Sequence, residues 1–128
     1  MTNRPVMPAS LAPPAAAYAH AVVSDLPQRM LHTSGVVPVA PDGTTPDGVG
    51  DQADLVWKNI GAMLSEVEMS VRDIVSVTTY AVNGEDLQAI MQSRDRMLSG
   101  HLAASTLVTV PALAEPAWRV EIAVVAVA

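Results

Sequence analysis

Residues 104–128 read ASTLVTVPALAEPAWRVEIAVVAVA. Two apolar, β-branched runs, Thr106–Val110 and Trp118–Val127, flank a turn rich in Pro and Ala. Runs of that length and composition are strands of a sheet with at least one buried face. Glu121 interrupts the second run. A bare charge is very costly to bury, so a carboxylate there must be paired, protonated or facing a cavity. The rest of the chain is read outward from this strand pair and its one acid.

Ile74–Val82 (IVSVTTYAV) has the same β-branched character and is a further strand. Between it and Thr106, Leu87, Ile90, Met91, Met97 and Leu98 form the apolar stripe of a helix. Asn83 is its expected cap, with Asp86 three residues on, and Gly100 its end. Asp51–Glu68 is the clearest helix: Ala53, Val56, Trp57, Ile60, Met63, Leu64 and Val67 keep the i, i+3, i+4 repeat, and Asp51 suits the N-cap or first turn. Ser70–Asp73 has the form of a capping-box turn. Upstream, residues 40–50 (APDGTTPDGVG) are a loop, and Tyr18–Val23 and Met30–Val39 are strands around the turn Ser24–Arg29, expected to pair as a hairpin. Met1–Ala17, with four prolines and no period, is expected to be an extended arm preceding a single domain over 18–128.

The order is β-β-α-β-α-β-β, which makes the chain α+β, with two helices on one face of a mixed sheet. The other face then needs cover that one small chain does not provide, and a symmetric oligomer is expected.

Composition narrows the function. Half of the 128 residues are hydrophobic and 16% are charged, which gives a chain able to bury a core. Phe is absent, so that core is aliphatic. A net charge of -6 with seven scattered Lys plus Arg disfavours a nucleic-acid partner, since phosphate contacts need a basic patch. The lack of Cys removes disulfides, thiolate catalysis and Cys-based zinc sites, and fits a cytoplasmic setting. No signal peptide is expected, and VEIAVVAVA is too short to span a bilayer.

The candidates for chemistry are few. His20, His32 and His101 lie on different elements without ligand spacing, so no metal site is expected. Ser34-Gly35 is not a nucleophile elbow. A glycine in a strand marks either a close approach by a ligand or backbone, or a bulge, and both readings stand. The loop at 40–50 lacks the Lys of a phosphate loop. Glu121 is the strongest candidate, because a desolvated carboxylate acts as a general acid or base near neutral pH. Against it stands a structural ion pair with Arg119, two residues earlier on the same strand face.

Five pieces, in this order and spacing, resemble the Rid family (reactive intermediate deaminases, the YjgF or endoribonuclease L-PSP group). They are Tyr18-Ala19-His20-Ala21-Val22, Thr33-Ser34-Gly35-Val36-Val37-Pro38, Gln52–Leu64, Val75–Val82 and Val120-Glu121-Ile122. The resemblance implies a chorismate-mutase-like fold and a homotrimer with clefts between subunits. It also implies cofactor-free hydrolysis of an enamine or imine by water activated near the glutamate. It assigns Glu121 as the catalytic residue and Tyr18, Ser34 and Gly35 to the cleft. The family's carboxylate-clamping Arg falls on Ser105 in a gap-free match of 103–108, and its helix Asn falls on Met91. A hydroxyl does not replace a bidentate guanidinium, so the chain reads as a divergent member whose substrate-binding set includes Ser105, Met91 and, as a candidate for the missing cation, Arg119. The two functions implied are deamination of a small metabolite and metabolite binding without turnover.

Overall fold

The computed structural model describes residues 2–128. Met1, the first residue of the expected arm, lies outside the described residues. The elements are β1 (Asn3–Val6), β2 (Ala21–Ser24), β3 (Met30–His32), α1 (Val49–Glu66), β4 (Ile74–Val82), α2 (Leu87–Leu98), β5 (Ala104–Val110) and β6 (Val120–Val127). The α+β architecture expected from the sequence is found, with one strand added at the start.

Four strands make the main sheet in the order β3-β6-β4-β5. β4 and β5 run parallel, joined by α2 as the crossover, while β6 lies antiparallel to both β3 and β4. The sheet is therefore mixed. β6 buries Val120, Ile122, Val124 and Ala126 toward the helices and leaves Glu121, Ala123 and Val125 on the open face. On β4, Val77, Thr79 and Ala81 point in, and Thr78, Tyr80 and Val82 point out. This two-residue alternation is what one covered face demands. α1 supplies Ala53, Val56, Trp57, Ile60 and Leu64 to the core, and α2 adds Ile90 and Leu98.

One local expectation changes and another is narrowed. Asp51 sits in the first turn of α1, the second of its two expected places, and Gly48 is the N-cap. The cap of α2 is Asp86, whose carboxylate accepts the Ala89 N–H at 3.2 Å, and not Asn83. Ser70 and Asp73 form the capping box as expected: Asp73 accepts the Ser70 N–H at 2.9 Å and Ser70 Oγ accepts from Arg72 at 3.2 Å. Gly100, with φ of 86°, follows the left-handed Ser99 that ends α2.

The N-terminal third departs most. β2 and β3 do not form a hairpin: β2 pairs with β1, and β3 pairs with the end of β6. Asn3–Val6 is thus a strand within the expected arm, and its Pro5 is tolerated because the two-stranded sheet consists only of edges. Asn3 ties the pair to the main sheet by donating to the Val127 carbonyl at 2.7 Å.

Candidate active site

Glu121 stands near the start of β6, opposite Tyr80, and half-buried on the open face. Val36 is bonded to Ile122 on both sides, N–H to carbonyl at 2.7 and 3.1 Å, which lays Ser34-Gly35 directly beside Glu121. A Cβ built on Gly35 would lie 2.0 Å from Glu121 Oε2, so the carboxylate occupies the space that any other side chain at 35 would fill. What lies against Gly35 is thus the Glu121 side chain, and neither a ligand nor another backbone. Among the described residues, the Glu121 carboxylate takes no side-chain hydrogen bond and no ion pair from the protein.

Arg119 does not neutralise it. Its guanidinium pairs with Glu85 in the turn before α2, which corrects the expected ion pair with Glu121. The two side chains are 46% and 18% exposed, and a pair so wetted contributes about 0–1 kcal/mol. Arg119→Ala is expected to lower unfolding stability by less than about 1 kcal/mol in a urea titration. A loss of 3 kcal/mol or more, the order expected for stranding a buried charge, would mean that it neutralises Glu121 after all.

Ser105 is also corrected. It is in register with Val77, so it faces the helices, away from Glu121. There its Oγ accepts from Arg94 at 3.3 Å, and that buried guanidinium is held by Asp95 at 2.9 and 3.0 Å. The residues of β5 that share Glu121's face are Ala104, Thr106, Val108 and Val110, none of them charged.

Two further expected residues are not near Glu121 within one chain. Tyr18 precedes Ala19, which bridges to Ala104 and bonds the Ala103 carbonyl at 3.0 Å. That end of β5 is level with Val125, about 13 Å along the sheet from Glu121 and two strands across, about 10 Å more. Tyr18 Oη accepts the Ala15 N–H at 3.3 Å. Met91 is a half-buried residue of α2, on the helix side of the sheet.

Two residues that position the site escaped the sequence reading. Gln52 of α1 is fully buried; its Nε2 donates to the Pro46 and Ala117 carbonyls at 2.7 and 2.9 Å, and its Oε1 accepts the Arg119 N–H at 2.8 Å. It thereby fixes the entry into β6 just ahead of Glu121. Asn59 donates to the Val37 and Val39 carbonyls at 3.3 and 3.1 Å, holding the segment that carries Gly35. An amide on the apolar stripe of a helix was the available signal for Gln52.

No group of His, Asp and Glu among the described residues is arranged to hold a metal ion. His20 and His101 each approach a backbone carbonyl, Ala12 at 2.8 Å and Ile74 at 2.7 Å, and His32 is exposed on β3. No helix among the described residues is long and apolar enough to cross a membrane.

The fold is shared with known proteins. Over 75 residues the chain is 33% identical to the putative reactive intermediate deaminase TdcF of Escherichia coli K12, a match spanning 58% of this chain and 58% of that relative's length. The crystal structure of a Rid-family protein of unknown function, YyfB from Yersinia pestis, superposes with a TM-score of 0.90 at 28% identity, covering 100% of both chains. E. coli TdcF with bound serine gives a TM-score of 0.73 at 28% identity, covering 95% of this chain and 93% of that one. The sequence profile of the family described as Endoribonuclease L-PSP matches residues 9–128, and the chain belongs to that family, the Rid or YjgF group.

Proposed function

We propose that the chain hydrolyses a reactive imine or enamine, releasing ammonia, at Glu121 in a cleft completed by a second copy of the chain. The observation that carries this reading is the half-buried Glu121 carboxylate, set against Gly35 and left without a protein partner. In the reaction, Glu121 takes a proton from water as the water oxygen adds to the C=N carbon. It then returns that proton to nitrogen and, from the resulting carbinolamine, carries the hydroxyl proton to nitrogen as well. The C–N bond breaks, and a carbonyl compound and ammonia leave. Imine and water balance carbonyl and ammonia, so no redox partner is required. That a related protein, TdcF, holds serine in its crystal structure supports a small-molecule ligand.

Imines generated in situ, with and without the protein, test the reading. Faster loss of the imine with stoichiometric ammonia is expected, and no acceleration on any imine would overturn it. The alternative, a metabolite-binding protein without turnover, draws on the absence of any cation beside Glu121 to anchor an anionic substrate. Binding without ammonia release would favour it. A ribonuclease reading, suggested by the family's description, is opposed by the net charge of -6.

The shared cleft requires an oligomer, and we take it to be a homotrimer. The open face of the sheet carries Ala123, Val125 and Tyr80, which no element of the same chain covers. Light scattering at micromolar concentration is expected to give three times 13.4 kDa. A monomer mass would remove the shared cleft.

A further inference from the structure

We infer that the substrate class at Glu121 is imines derived from amines, lacking a carboxylate, rather than imino acids. This rests on the deaminase reading and goes beyond it. The four strands of the main sheet contain no Lys and no Arg. Glu121 is their one acidic residue and His32 their one imidazole.

The chain's seven cations are all elsewhere. Arg4, Arg94, Arg96 and Arg119 pair with Asp25, Asp95, Asp54 and Glu85. Arg29 donates to the Val67 carbonyl. Lys58 and Arg72 belong to α1 and to the turn Val71–Asp73, off the sheet. A ligand lying along the Glu121 face therefore meets the side chains of Thr78, Tyr80, Thr106, Val108 and Ala123. Within one chain, a carboxylate there would face Glu121's like charge with no cation of the sheet beside it.

A protonated imine is favoured by the same field. Its positive charge is attracted to Glu121, and its carbon is the electrophile. When water adds and the Glu121-borne proton passes to nitrogen, the C–N bond breaks with its electron pair on nitrogen, the hydroxyl proton passes through Glu121 to the departing ammonia, and the charge leaves as ammonium. The organic product is a neutral aldehyde or ketone with no ionic hold on the site. One iminium and one water give one carbonyl and one ammonium, with charge conserved.

The test uses a matched pair differing only by the carboxylate. Butan-1-imine is made in situ from butylamine by an amine oxidase, and 2-iminopentanoate from norvaline by an amino-acid oxidase. Wild type is expected to hydrolyse butan-1-imine with kcat/KM about 100-fold higher than 2-iminopentanoate. Thr106→Arg, at an exposed position on the Glu121 face, is expected to cut that ratio at least about tenfold by raising the imino-acid rate, with its fold checked by thermal melting.

Equal rates, or a wild-type preference for 2-iminopentanoate, would overturn the inference and leave the deaminase reading intact. Should neither imine be hydrolysed, the deaminase reading falls, and the charge preference is read from binding of butylammonium and pentanoate. Butylammonium binding that is lost in Glu121→Gln, with no pentanoate binding, upholds the preference. Any other binding result overturns it.

Discussion

Glu121→Gln is expected to lower kcat/KM for imine hydrolysis by about 10²–10⁴-fold, the usual contribution of a positioned acid–base group. The substitution keeps the shape of the side chain and removes its ability to take a proton. Because no protein donor or cation is paired with the carboxylate, nothing is orphaned by the change. The melting temperature should therefore stay at or above that of wild type while the rate falls. That separation of rate from stability is the diagnostic result. A variant within threefold of wild-type activity would remove Glu121 from the mechanism. Equal losses of rate and of stability would make it a structural residue.

Gly35→Ala should be nearly as damaging, by a different route. The added methyl would lie 2.0, 2.6 and 3.0 Å from Oε2, Cδ and Cγ of Glu121, distances that atoms do not share. Gly35 is not among the residues of positive φ, so its backbone accepts alanine and the conflict is with the carboxylate alone. The Glu121 side chain is flexible and lies on an open face, so it yields and the fold survives. A displacement of about 1 Å at a reacting group costs about 10²-fold in rate. We expect a loss of that order in kcat, with little change in melting temperature. Gly61→Ala in α1, where a Cβ meets nothing within 4 Å, is the control and should leave activity unchanged. If Gly35→Ala retains full activity, the carboxylate is not required where the structure puts it.

How much of this was legible beforehand follows from which interactions are local. α1, the 70–73 turn and β4 were readable because period and capping lie within a few residues of sequence. Glu121 was conspicuous because one acid in an apolar strand breaks a pattern. The pairing of β3 with β6 was not readable, because it joins Leu31 to Ala126 across most of the chain and leaves the nearer β2 to another partner. β1 was hidden by Pro5, which argues against a central strand but not against an edge. Ser105 shows the sharpest limit. Moving one residue along a strand exchanges the two faces, and only the register with Val77 reveals that Thr106, and not Ser105, looks the same way as Glu121.

Gln52 ties the start of β6 to the core face of α1, and this makes the site a gauge of local opening. The Arg119 N–H is bonded to a side chain that is itself fully buried, so it exchanges with solvent only when α1 lifts from the sheet. Its hydrogen-exchange rate thus measures the free energy of that partial opening. Warming or mild denaturant that undocks α1 should disarm Glu121 while the β4–β6 ladder is still intact, so that inactivation precedes unfolding.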